Sequence, residues 1–261
     1  MLTERSARVV AAVKLHRQLA RRRAHRCLVE GANLVDAAAR QGLIREIFVT
    51  EAAEQRYADL LASHGAAVHV VTERAAKALS DTVTPVGLVA VCELPDLRLE
   101  DALADAPRLV AVGVEIGEPG NAGTLIRIAD AMGAAAVVFA GHTVDPYNGK
   151  CLRASAGSIF SLPVVVAPDA GAAVTALQAA GLRVMATTVD GELSLDDAPL
   201  AVPTAWLFGA EAHGLPAQLA QQADHRVAIP MSGRAQSLNV AAAASICLYQ
   251  SARAQRADPG S

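Results

Sequence analysis

Hydrophobic positions along the chain fall into two rhythms. From Arg108 onward, short apolar runs ("RLVAVGV", "AAAVVFAG", "LPVVVA", "LRVMATT", "TAWLFGAE", "HRVAIPM") alternate with segments at helical spacing such as "NAGTLIRIADAMG" and "AGAAVTALQAAG". A continuous apolar run bounded by turn residues is the pattern of a strand buried on both faces. Its alternation with helices predicts βα units and a largely parallel sheet covered on both sides. Before Arg108 the rhythm is mixed. "RVVAAVKLHRQLARRRA" reads as one helix, with Val9, Val13 and Leu19 on its apolar face. "CLVE" reads as a short strand and "GANLVDAAARQG" as a helix ended by Gly42. "IREIFVT", "AAVHVVT" and "VGLVAVCEL" are further strands with helices between them. The acidic, proline-bearing stretch 94–107 separates the two rhythms and predicts a boundary. The expected organisation is a small α/β domain over residues 1–98 and a larger α/β domain over 108–255. The end, "RADPGS", reads as a frayed tail.

Composition narrows the class. Hydrophobic residues make up 52% of 261 and aromatic residues 3%, so the core is built from Ala, Val, Leu and Ile. The four cysteines are scattered with no C-x-x-C pair. Neither a metal site nor a disulfide framework is expected, and a reducing cytoplasm is the natural compartment. The first apolar residues are interrupted by Arg5, Arg8 and Lys14, unlike a signal peptide, and no apolar run is long enough for a bilayer. The net charge of −3 conceals an asymmetry: residues 1–30 carry +6 and the remainder −9. A basic arm on an acidic body predicts phosphate contacts to RNA or DNA, through Arg21, Arg22, Arg23 and Arg26.

Four loops in the second half carry candidate chemistry. "EIGEPGNAGTLIRIAD" follows a strand and opens a helix, but its glycines are spaced G-x-x-G-x-x-G rather than G-x-G-x-x-G, which weighs against a dinucleotide site. Asn121 is suited to cap that helix, and Arg127 lies six residues on, between Ile126 and Ile128. A surface arginine is the plainer reading of Arg127. "KCLRASAGSIFSLPV" places Arg153, Ser155, Gly157 and Ser158 together as a donor-rich patch able to hold a phosphate. "WLFGAEAHGL" ends a strand in Gly209 and sets Glu211 in a glycine-bracketed turn, at the end of the sheet where open α/β folds bind ligands. "IPMSGRAQSLNVAAAASICLY" puts Ser237 and Asn239 at the mouth of an Ala-rich helix. A cap accounts for one of those polar residues, not both.

The ordered set N-x-G-x-x-x-R (Asn121, Gly123, Arg127), L-F-G-x-E-x-x-G-L (Leu207 to Leu215) and I-P-M…S-L-N-V (Ile229 to Val240) resembles the three motifs of the SpoU/TrmH branch of the SPOUT RNA methyltransferases. "RRRAHRCLVEGANLVDAA" and "SDTVTPVGLVAV" resemble the small substrate-binding domain of its ribosomal RNA members, so the likeness covers nearly the whole chain. The resemblance implies a SPOUT-type parallel sheet with a C-terminal trefoil knot, preceded by a small α/β RNA-binding domain. It implies a homodimer with each site near the subunit interface, and S-adenosyl-L-methionine as cofactor without a metal. The reaction it implies is 2′-O-methylation of ribose in RNA, ribosomal RNA before transfer RNA; a non-catalytic RNA-binding protein of this fold is the alternative. Arg127, Asn121, Glu211, Ser237 and Asn239 are then the expected catalytic set. Gly209, Ile229, Leu238, Thr187 and Met231 are the expected cofactor contacts. Arg21, Arg22, Arg23, Arg26, Arg153 and Ser155 are the expected RNA contacts.

Overall fold

The computed structural model describes residues 1–63, 65–95 and 97–257. From residue 258 on, the expected frayed tail lies outside the described residues. The chain divides into two compact units, residues 1–96 with 145–160, and residues 97–144 with 161–261.

The first unit holds a four-stranded sheet. Its strands are β1 (Arg26–Glu30), β2 (Ile44–Val49), β3 (Ala67–Val70) and β4 (Leu88–Glu93), in the order β1-β4-β2-β3. β4 runs antiparallel to both β1 and β2, and β2 is parallel to β3. The single helix expected over Arg8–Ala24 is broken. The Ala7–Val13 helix passes into a 3₁₀ turn, and a second helix, Gln18–Ala24, starts after Arg17, whose backbone is extended (φ −90°, ψ 130°). The break rotates the second half, so Val9, Ala12, Leu15 and Arg21 are buried while Leu19 is exposed. Thr50 and Thr72 cap the helices that follow β2 and β3, each accepting from the N–H three residues on. The Gly149–Ser155 helix belongs to this unit, capped by Asn148 and packed on β1. Just after it, Gly157 (φ +102°) approaches the Ala32–Arg40 helix so closely that a Cβ would lie 3.2 Å from Ala37.

The second unit is the predicted parallel sheet. Its strands are β5 (Leu109–Val114), β6 (Ala136–Ala140), β7 (Val164–Ala167), β8 (Arg183–Thr187), β9 (Leu193–Ser194), β10 (Thr204–Phe208) and β11 (His225–Ala228). The order is β7-β6-β5-β10-β8-β11-β9, and every pairing is parallel. Every residue of β5, β6 and β10 is buried, as their unbroken apolar runs require. Stretch 94–107 is more than a connection: its Leu99–Leu103 helix buries Leu103 in the second core. The Pro119–Ala131 helix starts from a Glu118 cap with Pro119 at its first position, where the missing N–H costs nothing. The Val240–Ala257 helix packs beside it, burying Val240, Ala244, Cys247, Leu248 and Ser251 along one face. Alanines there let the backbones approach. Trp206, fully buried on β10, donates its indole N–H to Ser251 at 2.8 Å, which ties the last helix to the centre of the sheet.

Candidate active site

The site of the second unit grows from strand ends. β8 ends in Thr187, whose hydroxyl donates to the Leu207 carbonyl at 2.8 Å and so couples β8 to β10 at their carboxyl ends. β10 runs out at Phe208, and the chain folds back on itself as Gly214 N–H donates to the Ala210 carbonyl at 2.8 Å. Gly209 faces that turn: a Cβ there would strike the backbone of Gly214 and Leu215, so only glycine lets the turn close. After β11 the irregular stretch from Ile229 to Asn239 returns to the same place. These segments enclose a cavity of about 680 Å³, within the range of small-molecule sites. Thr187, Gly209, Ile229, Met231 and Leu238 all line it, together with Glu211, Ser237 and Asn239. Sequence reasoning passed over Thr188, Asp190 and Gln236, which also line it; nothing in their local pattern marks them. The buried Thr188 hydroxyl has no hydrogen-bond partner among the described residues, a donor left for a ligand.

Three side chains from three separate segments meet beside this cavity: Asn121 from the first turn of its helix, Glu211 and Asn239 from the cavity wall. Asn121 Nδ2 and Asn239 Nδ2 both donate to Glu211 Oε1 at 2.6 Å, and Asn239 Nδ2 also lies 3.3 Å from Asn121 Oδ1. One carboxylate oxygen thus orients two amides separated by 118 positions in the chain. Asn239 also caps the last helix, its Oδ1 accepting from Ala241 N–H at 2.9 Å. Capping and site duty are therefore not alternatives for this residue. Ser237 is exposed and lines the cavity. The cap of the Pro119–Ala131 helix is Glu118, not Asn121.

Arg127 stands apart from this group. Six residues beyond Asn121 it is about 9 Å further along the helix and on another side of it. It is exposed, outside the cavity wall, and no ion pair to it forms among the described residues.

The expected RNA contacts sort differently. Arg22 and Arg23 are exposed and Arg26 is partly so. Arg21 is buried: its Nε and Nη2 donate to Asp145 Oδ2 at 2.9 and 2.6 Å, and Nη1 donates to the Leu15 and His16 carbonyls. It is a structural cation, with its fork already occupied. Ser155 is also buried and donates to Leu152 O, so it cannot reach a phosphate. Arg153 is partly exposed and paired with Asp81. Among the described residues no cluster of His, Cys, Asp or Glu could hold a metal ion, and no helix is long and apolar enough to cross a membrane.

Comparison with known proteins places both halves. Residues 108–249 match the SpoU rRNA Methylase family, and residues 7–90 match the MRM3-like substrate binding domain. The 23S rRNA (guanosine(2553)-2′-O)-methyltransferase RlmP of Bacillus subtilis is 36% identical over 237 residues, which is 90% of this chain and 92% of that protein. The crystal structure of the SpoU methyltransferase AviRb from Streptomyces viridochromogenes in complex with AdoMet matches with a TM-score of 0.87 at 32% identity, covering 97% of this chain and 99% of that one. The AdoMet-bound rRNA methyltransferase from Sinorhizobium meliloti matches with a TM-score of 0.84 at 29% identity, covering 95% of each chain.

Proposed function

The chain belongs to the SpoU rRNA methylase family, and from that premise we propose how its residues transfer a methyl group from S-adenosylmethionine to a ribose 2′-hydroxyl of ribosomal RNA. The observation that carries the reading is the meeting of Asn121, Glu211 and Asn239 at the rim of the cavity lined by Thr187, Gly209, Ile229, Met231 and Leu238. That cavity fits the cofactor in size, in its mixed apolar and backbone lining, and in the unpartnered Thr188 hydroxyl.

S-adenosylmethionine, when bound, supplies a methyl group on an already activated sulfonium, so no metal is needed. The protein's share is to align the ribose and ease loss of its proton. Glu211 fixes the Asn121 and Asn239 amides; Asn239 spends both its N–H bonds on Glu211 and Asn121, so the second N–H of Asn121 is the donor that holds the ribose. Ser237 completes the polar wall. Arg127 stabilises the negative charge that develops on the ribose oxygen and clamps the adjacent phosphate through its fork. A guanidinium does not give up its proton at neutral pH, so the 2′-hydroxyl proton leaves through phosphate or water.

Arg127 lies outside the cavity, and we assign it to the site of a second copy in a homodimer. The helix beside the one that carries it leaves Ile246 and Tyr249 exposed one turn apart, an apolar face for a second copy. The family matches support residues 108–255 as the catalytic domain, its segment 145–160 counted in the first compact unit, and 1–98 as the RNA-binding domain, with the exposed Arg22 and Arg23 as phosphate contacts. Residues 229–239 carry the chain from β11 to the cavity and to Asn239 beside Glu211 and Asn121, and the C-terminal trefoil knot of the family is the path we assign to them. The chemistry suits the cytoplasm, where ribosomal RNA is made and the buried cysteines stay reduced.

The direct experiment maps ribose methylation in ribosomal RNA from cells with and without the gene, then repeats the transfer with purified protein and the identified fragment. Loss of one 2′-O-methyl mark, restored in vitro, is the expected result. An unchanged map, with no transfer to ribosomal RNA fragments and transfer to transfer RNA instead, would move the substrate to the second class.

A further inference from the structure

The first unit contains a cavity of its own, of about 220 Å³, whose wall belongs entirely to that unit. It is too small for a cofactor or a whole nucleotide and has room for one planar ring system. Leu15, Leu28, Leu34, Leu79 and Leu152 make its apolar lining. Glu30 and Asp81 bring carboxylates to it, and Arg153 forms an ion pair with Asp81.

The charges argue against a phosphate. The cation of Arg21 is spent on Asp145 and two carbonyls, and the carboxylates of Glu30 and Asp81 offset the charges of Lys150 and Arg153 in the wall, leaving no surplus of positive charge. They argue for a base edge. Glu30 is occupied: it accepts from Ser80 Oγ at 2.7 and 2.8 Å, from Thr82 Oγ1 at 3.2 Å and from Val86 N–H at 3.3 Å. Those bonds pin the loop that carries Asp81. Asp81 lies so close over Gly149 that a Cβ at that position would meet its carboxylate. The Asp81 side chain is nevertheless 37% exposed and that of Arg153 35%, so the pair is reachable. The hydroxyl of Tyr147, also in the wall, is buried and has no partner among the described residues. Burial holds that phenol well above its usual range, which keeps it a donor.

We infer that this cavity takes an unstacked guanine of the RNA, read by the Asp81–Arg153 pair. The inference rests on the RNA substrate proposed above. An ion-paired carboxylate and guanidinium side by side present two acceptors and a donor. Guanine's Watson–Crick edge presents the complement: N1–H and N2–H donate to the carboxylate while O6 accepts from the arginine. Adenine and cytosine offer the carboxylate one donor position instead of two. The leucines cover the faces of the ring, and the Tyr147 hydroxyl is a spare donor beside it.

The test uses the full chain and three small probes, guanosine, inosine and adenosine 5′-monophosphate, with methyl resonances of Leu15, Leu28, Leu34, Leu79 and Leu152 as reporters. Guanosine monophosphate should shift these methyls. Inosine monophosphate, lacking the N2 amino group, should bind about tenfold more weakly, and adenosine monophosphate more weakly still. Asp81→Asn should abolish the preference among the three while the fold, judged by the remaining resonances, stays intact. Tyr147→Phe should weaken guanosine monophosphate binding without changing the preference. Equal binding of the three probes, or shifts confined to the second unit, would overturn the guanine site. Titration of S-adenosylhomocysteine in the same samples reports on Thr187 and Ile229, so failure of the cofactor reading is seen separately.

Discussion

Asn239 donates its amide to Glu211 Oε1 at 2.6 Å while its carbonyl oxygen accepts from the Ala241 N–H at 2.9 Å. One side chain therefore both starts the last helix and enters the polar group at the cavity. The two duties separate by mutation. Asn239→Ala should cost about 1 kcal/mol of stability through the lost cap. Asn239→Asp keeps the capping acceptor but sets a second carboxylate against Glu211. Both variants should lose methyl transfer on the order of a hundredfold. Thermal unfolding and single-turnover transfer measured together check this, and a wild-type rate in the Asp variant would reduce Asn239 to a cap.

Arg127→Ala should lose methyl transfer on the order of a hundredfold or more while retaining affinity for S-adenosylhomocysteine, because Arg127 lies outside the cavity wall. Arg127→Lys should recover little, since a point charge does not reproduce a fork. Cofactor titration beside single-turnover kinetics decides, and unchanged rates would return Arg127 to the surface.

Arg21 and its two neighbours should respond in opposite ways. Arg21→Ala leaves the largely buried Asp145 without its cation and should cost on the order of 3–5 kcal/mol in stability. Arg22→Ala and Arg23→Ala should leave stability nearly unchanged and lower the salt dependence of RNA binding, by roughly one unit of slope per lost phosphate contact. Urea unfolding and RNA affinity at several salt concentrations distinguish the two effects.

Gly209→Ala drives a methyl group into the backbone of Gly214 and Leu215. The turn that carries Glu211 must open, so cofactor affinity and transfer should fall together, with a stability loss of about 1–3 kcal/mol. Calorimetric titration with S-adenosylhomocysteine is the check, and wild-type affinity would mean the turn can yield elsewhere.

Burial pushes the thiols of Cys27 and Cys247 up to about 12. In the unfolded chain they ionise near pH 8.5. Unfolding therefore releases protons above that value, and stability should fall as pH rises from about 8.5 towards 12, with the contribution fully present below it. The native protein should also resist thiol reagents at pH 8 and react once unfolded. Urea midpoints at pH 7, 9 and 10 with a labelling time course test both statements.

The sequence by itself determined six of the seven strands of the second unit, the two-residue β9 excepted, together with their parallel arrangement and the order of the three motif loops. A strand buried on both faces must be apolar throughout, and a turn that closes on itself must carry glycine. Such demands are local, so they are visible locally. The break at Arg17, with Leu19 exposed and Arg21 buried beyond it, is not visible locally, for the partner of the buried Arg21 guanidinium is Asp145, 124 positions from Arg21. Ser155 looked like a phosphate ligand from its neighbours, yet its helix packs on β1 and buries it. Asn121, Glu211 and Asn239 each read as a plausible cap or turn residue. Only the fold, by returning three chain segments to the ends of β5, β10 and β11, brings the two amides onto one carboxylate oxygen. Hydrogen-bond partners are set by distances of about 3 Å, and distances between remote residues exist only once the chain has packed.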